Sequence, residues 1–384
     1  MTGSSPTRAP VSNREERVLQ LIETARGKRP RFKDQQITLA HGAGGKATQT
    51  LIEGLLVPAF TDSGIPRDGG QAGAALAQLG DAGRLVAGPE QTELPALVMT
   101  SDSFVVSPLR FPGGSIGELA VNGTVNDLAM AGARPLGLTV SMILEEGLPS
   151  ATLRAEVEAI AAAARAAGAE IVGGDTKVVQ RGLADGMYLC TTGVGLIDDR
   201  ASLSPQGIRA GDRILVSGPI GEHGTAIMLA RGQFDLDADI ESDTCCLWPA
   251  VDALLQAAGA QLHCLRDATR GGVASVLNEL ARASHVGMIV READVPVHPV
   301  VAAAAELLGI DPMYIANEGR LVAFVAPEME AAALDALRAI PGCEQAAAIG
   351  EVAGEPPGMV LVATAFGGRR VMDQLVGDPL PRIC

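Results

Sequence analysis

Four aspartates stand beside glycines or at the ends of apolar runs, and a cysteine closes the chain. Asp102 lies in Thr100-Ser101-Asp102-Ser103, just past the strand-like Leu97–Thr100. Asp127 belongs to Asn126-Asp127-Leu128-Ala129, inside a run of small and apolar residues. Asp175 sits in Gly173-Gly174-Asp175-Thr176-Lys177, and Asp267 in Asp267-Ala268-Thr269-Arg270-Gly271-Gly272. No histidine or cysteine clusters with them. An all-oxygen set suits Mg²⁺, which takes carboxylates and substrate phosphates together. The glycines beside these residues let backbone N–H groups approach an anion closely. We therefore expect Asp102, Asp127, Asp175 and Asp267 to meet around one nucleotide triphosphate and its Mg²⁺.

Other residues fit the same chemistry. His41-Gly42-Ala43-Gly44-Gly45-Lys46 places three glycines after the strand-like Ile37–Ala40, without the spacing of a Walker loop. Asn122 and Asn126, four apart, share a helix face with Asp127 beside it, and burying such a group without partners is costly. A wet helix edge would also accommodate them; a bound phosphate and metal explains them better. Asp267 and Thr269 are expected at a helix start, where N–H groups point outward. Thr269 would equally serve there as a simple cap. Lys177 lies two residues after Asp175 and is expected to face the same phosphates. Glu318, in Asn317-Glu318-Gly319-Arg320, is the remaining ionisable candidate. Gly218–Gly224 reads as a structural turn, and the pairs Cys245-Cys246 and His263-Cys264 as core residues.

The thiol of Cys384 is the one nucleophile carried on an arm. Pro379 and Pro381 discourage helix, and Gly377 and Asp378 loosen the join, so the tail is expected to be extended and mobile. A chain that merely happens to stop at cysteine is the plain alternative. Prenylation is a poor one, because three further residues would be needed.

The elements that must position these groups alternate between helix and strand. Helix is expected over Thr48–Phe60 and Ile116–Ala131. A further helix follows Ser150, expected as its cap, with Leu153, Val157, Ile160 and Ala164 on one face. Strands are expected at Gly137–Ile143 and Tyr188–Leu196. A similar alternation resumes after Asp198–Ala201. We divide the chain into a weakly ordered extension (1–35), an ATP-binding half (36–198), a C-terminal α+β half (199–376) and a tail (377–384). The length suffices for about two domains with full cores. Acidic residues outnumber basic ones, 45 to 30, giving a net charge of −15. That balance argues against nucleic acid and anionic membranes as partners. With no membrane-length apolar run, no secretory signal and six cysteines lacking CxxC spacing, the expected setting is the cytoplasm.

Taken together, the chain resembles the HypE family of hydrogenase maturation factors. That family lies within the superfamily of aminoimidazole ribonucleotide synthetase, selenophosphate synthetase and thiamine monophosphate kinase. The resemblance runs from about Ile37 to Cys384. It rests on His41–Lys46, Thr100–Phe104, Phe111-Pro112-Gly113-Gly114, Asn126–Ala129, Gly173–Val179, Asp267–Gly272, Asn317–Arg320 and the terminal Pro-Arg-Ile-Cys. It implies an α+β, two-domain fold of the aminoimidazole ribonucleotide synthetase kind, whose N-terminal half dimerises into a β-barrel. It implies an enzyme using ATP and Mg²⁺, with nucleotide contacts at His41, Gly42, Gly44, Gly45, Lys46, Asp102, Asn126, Asp127, Gly174, Asp175, Thr176, Asp267 and Thr269. A carbamoyl group placed on Cys384 by HypF would be dehydrated to a thiocyanate, with Lys177 and Glu318 as catalytic groups. The cyano group would then pass to a HypC–HypD complex. A lysine beside Glu318 would keep its proton affinity low. The alternatives are another ATP-using kinase or synthetase of the superfamily and a non-catalytic thiol scaffold. Selenophosphate synthesis is disfavoured because no cysteine precedes Cys190.

Overall fold

A computed structural model of the protein describes residues 32–42, 45–58, 82–85, 96–232, 239–365, 367–375 and 382–384. Gly44 and most of the expected N-terminal extension, of the 62–96 connection and of the tail lie outside the described residues. The N-terminal half contains helix α1 (Lys46–Leu51), strands β1 (Gly83–Leu85), β2 (Leu97–Phe104), β3 (Arg110–Phe111) and β4 (Gly114–Ser115), and helix α2 (Ile116–Met130). It continues through β5 (Ala133–Glu145), α3 (Ser150–Ala167), β6 (Glu170–Val179) and β7 (Met187–Ile197).

Its five-stranded sheet has the order β1-β2-β7-β5-β6, antiparallel except for β5 and β6, which run parallel with α3 as the crossover. Helix α2 covers one face of this sheet and is buried along almost its whole length. Small residues allow that closeness: a Cβ on Gly123 would lie 2.9 Å from the Phe104 ring. A helix apolar all round must be covered on both sides. The second half supplies the other cover, through Leu215, Leu247 and Leu321, which share a cluster with Ala129 and Met130.

That second half comprises β8 (Arg213–Val216), α4 (Glu222–Ala230), α5 (Trp248–Ala258), β9 (Leu262–Asp267), α6 (Gly272–Ala283), β10 (Gly287–Arg291) and α7 (Pro299–Leu308). Strand β11 (Leu321–Val325), helix α8 (Glu330–Arg338) and strands β12 (Ala347–Ala353), β13 (Val360–Ala363) and β14 (Arg369–Met372) complete it. Its mixed sheet runs β14-β13-β10-β12-β8-β11-β9. β11 sits between β8 and β9 and is buried at every residue, so both sheet faces are covered. The two-domain α+β architecture expected from the sequence is the one observed.

Several local expectations need correction. Ile37–Ala40 is not a strand; Leu39–Gly42 form a 3₁₀ turn in which His41 Nδ1 lies 3.0 Å from the Thr38 amide nitrogen. The helix expected over Thr48–Phe60 begins at Lys46 and widens into a π-helix over Ile52–Leu56; Phe60 lies outside the described residues. Ser150 is the first residue of α3 rather than its cap, following Pro149 with no side-chain capping bond. Thr269 does not cap a helix either, since α6 starts at Gly272 with the left-handed Gly271 in the cap position.

Candidate active site at the junction of the halves

Strand alternation puts Thr100, Asp102 and Phe104 on the face of β2 that meets α2. Asp102 Oδ2 lies 3.8 Å from where a Cβ on Gly123 would stand, and the Thr100 hydroxyl donates to Asp127 Oδ2 at 2.7 Å. One turn along α2, the Asn126 amide donates to the carbonyls of Cys245 (2.9 Å) and Glu318 (3.3 Å) and accepts from the Leu247 N–H at 2.7 Å. Asn122 donates to Thr244 at 3.3 Å. The two buried amides therefore find their partners in the second half of the chain. In this state Asn126 ties the halves together rather than facing a nucleotide.

Those contacts bring the loop Asn317–Arg320 over the end of β2. Asn317 clamps it, donating to the Ala268 carbonyl at 2.8 Å and accepting from the Gly221 N–H at 2.7 Å. Asp243 Oδ1 accepts from the Glu318 N–H at 3.1 Å, and Arg320 Nε approaches Asp243 Oδ2 at 3.6 Å. Gly319 is required here, because any Cβ would fall inside van der Waals contact of the Asp243 carbonyl. Glu318 is 4 % exposed, and its Oε1 has no hydrogen-bond partner among the described residues.

Glu318 shares this pocket with the charges of Asp267, Asp243 and Asp102. Burial foremost, then the repulsion of those three carboxylates, raises its proton affinity well above the ordinary glutamate value, against a weaker opposing pull from Arg270. Burial likewise raises Asp102, with Arg270 opposing. The expectation of a low proton affinity fails because Lys177 is elsewhere.

Asp175 and Lys177 are not brought to this pocket. Asp175 pairs across the sheet with Ser141, Ser141 with Cys190, and Cys190 with Ser103. It therefore lies three strand spacings from β2, about 14 Å, and on the face away from α2. The carboxylate is exposed and bonded to Lys177 Nζ at 2.5 Å and to the Thr176 N–H at 2.8 Å. Those two bonds, the lysine first, lower its pKa. Gly173–Lys177 is a stretch of edge strand rather than a loop, and Gly174 packs where a side chain would strike the Val140 carbonyl of β5. The convergence of all four aspartates within one protomer is thus corrected. Asp102 and Asp267 join Glu318 and Asp243, Asp127 lies behind Thr100, and Asp175 stands apart. Thr269, half-buried, follows Asp267.

The glycine turn has neighbours of its own. His41 is buried, with Nε2 2.9 Å from Asp34. Lys46 pairs with Asp373 at 2.9 Å and donates its backbone N–H to the Leu375 carbonyl at 3.3 Å. The turn lies against the chain just before the tail.

The tip of that tail is docked, contrary to the mobile arm expected. Ile383 and Cys384 are 4 % and 9 % exposed and pack in the core cluster with Phe104, Val106 and Phe111. The N–H groups of Val105 and Ser107 donate to the main-chain oxygens of Cys384 (3.2 Å) and Arg382 (3.4 Å). Arg231 donates to the Arg382 carbonyl, His223 holds that of Ile383 at 2.6 Å, and the Arg382 guanidinium pairs with Asp185. An apolar side chain in the core and this series of bonds outweigh the local preference of a proline-rich end. Sequence reasoning missed Asp243, His223, Arg231 and Arg270. Asp243 lies in an irregular stretch with no periodic signal, and His223 in a turn assigned to structure alone.

Of the other five cysteines, Cys190 is half-buried within β7, and the remaining four sit in less reactive settings. Burial pushes the Cys245 thiol up to about 12 and raises those of Cys246 and Cys343. Cys264 is buried.

This two-domain α+β architecture is that of the aminoimidazole ribonucleotide (AIR) synthase-related proteins. Their N-terminal domain model matches residues 80–197 and their C-terminal one residues 209–362. A carbamoyl dehydratase HypE from Bradyrhizobium diazoefficiens is 48 % identical over 348 residues, covering 91 % of this chain and 96 % of that protein. A solved HypE–HypF complex superposes with a TM-score of 0.76 at 39 % identity, over 84 % of this chain and 99 % of that one. A HypE structure in complex with ATP gives 0.72 at 42 % identity, over 91 % and 100 %. The chain belongs to the HypE family of hydrogenase maturation proteins.

Proposed function

We propose that this protein uses ATP to dehydrate a carboxamide carried on the sulphur of its own Cys384. The product is a thiocyanate, whose cyano group becomes a ligand of iron in nickel–iron hydrogenases. One observation carries the reading: the terminal cysteine is seated just past the end of β2, on the Val105 N–H, in a groove tied by hydrogen bonds to the Glu318 loop. A HypF-type transferase would load the carbamoyl group, and a HypC–HypD complex would receive the cyano group.

The amide oxygen is a poor leaving group until it is phosphorylated. Its attack on the γ-phosphorus breaks the bond to ADP. Loss of both N–H protons and of the oxygen as phosphate then forms C≡N, so carboxamide and ATP become thiocyanate, ADP and phosphate. Glu318 is the proton acceptor. Its raised proton affinity suits the task, because a base works best with a pKa near the working pH.

Mg²⁺ fits the pocket. Carboxylates outnumber their counter-charges there, and Glu318 Oε1 is buried without a partner among the described residues. No three ligating groups among the described residues stand close enough to hold a metal by themselves. Mg²⁺ commonly uses one or two carboxylates and takes its other oxygens from phosphates and water. Asp102 and Asp267, with Asp127 behind them, would hold it, and the ion would offset charge on the triphosphate. The phosphates would be cradled by Thr269 and the turn of His41, Gly42, Gly44, Gly45 and Lys46.

A homodimer is part of this reading. Strand β6 is the exposed sheet edge, carrying Val172 and Val178 at 64 % and 67 % exposure, and the sheet face opposite α2 holds exposed Met99 and Ile143. A second copy would cover both. Gly174, Asp175, Thr176 and Lys177 would then be offered to the phosphates in the second copy's cleft. Asp127→Asn keeps the shape of α2 and removes one charge from the metal set. We expect carbamoylation of Cys384 to persist while ATP-dependent dehydration falls at least about a hundredfold, the scale typical for loss of a group that stabilises developing charge. Normal ATP turnover by that variant would remove Asp127 from the site.

A further inference from the structure

The protein holds its tail mostly by the peptide backbone, and one of the holding groups has no part in phosphate binding or proton removal. His223 is fully buried in the first turn of α4. Its Nε2 lies 2.6 Å from the Ile383 carbonyl and its Nδ1 2.7 Å from the Ser242 hydroxyl. A carbonyl only accepts, so Nε2 carries the proton. Ser242 Oγ already accepts from the Thr244 N–H at 3.1 Å, which leaves its own proton for Nδ1. The tautomer is therefore fixed by its partners. Phe111 stands edge-on to the imidazole at 5.5 Å.

Two connections link this histidine to the reacting groups. The Gly224 N–H donates to the Ala316 carbonyl at 3.0 Å, two residues before Glu318, and Ser242 adjoins Asp243, which accepts from the Glu318 N–H. Beyond the other end of α4, Arg231 donates to the carbonyls of Ser107 (2.7 Å) and Arg382. One short helix thus grips successive tail carbonyls while anchored to the loop that bears the base.

We propose that His223 is a positioning residue that fixes the Ile383–Cys384 peptide, and with it the sulphur-borne carboxamide, relative to Glu318. The proposal rests on the reading of Cys384 as the acceptor. Burial holds the imidazole at about 4, against the pull of the Ile383 carbonyl, so it stays a neutral single donor at neutral pH. Loading by a transferase requires the tail to leave the groove, whereas dehydration requires it to return. Weakening the grip should therefore act oppositely on the two steps.

His223→Leu removes the donor, while His223→Gln retains an N–H of similar reach. The test follows loaded protein through one turnover with saturating ATP, alongside hydrogen exchange of the Val105 and Ser107 amides, which donate to the tail. For His223→Leu we expect roughly tenfold slower dehydration, the scale of one hydrogen bond. Carbamoylation should be undiminished and exchange at both amides faster. His223→Gln should recover most of the rate and protection. Wild-type dehydration or wild-type exchange in a folded His223→Leu protein would overturn the proposal. Should that variant fail to fold, Ser242→Ala, which frees Nδ1 and the tautomer, is read in the same way. If wild-type Cys384 takes no carbamoyl group, the functional reading falls, and the exchange experiment still decides the grip.

Discussion

Glu318→Gln is expected to lose the dehydration step and to melt at a higher temperature than the wild type. The loss follows from removing the proton acceptor, typically about a hundred- to ten-thousand-fold in rate. ATP binding and acceptance of the carbamoyl group should survive, so the loaded carboxamide accumulates. The gain in stability follows from the same surroundings. Folding raises the proton affinity of Glu318, so its contribution is fully present below the ordinary glutamate pKa and is lost as pH rises through the folded-state value. Near neutral pH the wild type carries this cost, and an uncharged amide beside Asp102, Asp243 and Asp267 does not. Relief of one such site commonly brings about 0.5–2 kcal/mol, with the difference from wild type growing as pH rises. In the wild type, turnover should fall with falling pH as Glu318 takes up its proton. Thermal melts across pH, with single-turnover rates, check both halves. A variant with normal dehydration, or one that melts lower at every pH, contradicts the role.

Cys384→Ala is expected to take up no carbamoyl group. The other thiols are not expected to substitute: burial raises Cys245, Cys246 and Cys343 away from the nucleophilic thiolate, Cys264 is buried in the second half's core, and half-buried Cys190 is fixed within strand β7. Intact mass after incubation with transferase and carbamoyl donor reads this directly. A gain of one carbamoyl mass in the variant would move the acceptor to another residue. The variant should still bind ATP, because the bonds of Asn126, Asn317 and Asp243 that hold the pocket together do not involve the tail.

Much of this was legible along the chain and some could not be. Helix α2 was readable because its small and apolar run ends at Gly132, which adopts φ 72°. Asn122 and Asn126 were readable as buried amides needing partners, but the partners lie well over a hundred residues away in sequence. No local pattern names them. The paired glycines before Asp175 suggested a close approach to an anion, because a glycine's close approach to a neighbouring strand looks identical in sequence. Proline and glycine near the end speak against helix, but residues 377–381 lie outside the described residues. They carry no information on whether a distant groove, made by Val105, His223 and Arg231, accepts the tip of the chain. Glu318 was visible only as an ionisable residue left over. Its proton affinity depends on Asp102, Asp243 and Asp267, which only the fold assembles.

The central claim is that oxygen leaves the Cys384 carboxamide for phosphate. Loading the protein with a carbamoyl group bearing heavy oxygen, adding ATP and analysing both products tests it most directly. The account predicts a C-terminal peptide lighter by one water, a nitrile band in the infrared, and the heavy oxygen in inorganic phosphate. ATP hydrolysed to unlabelled phosphate, with the carboxamide intact on Cys384, would contradict it.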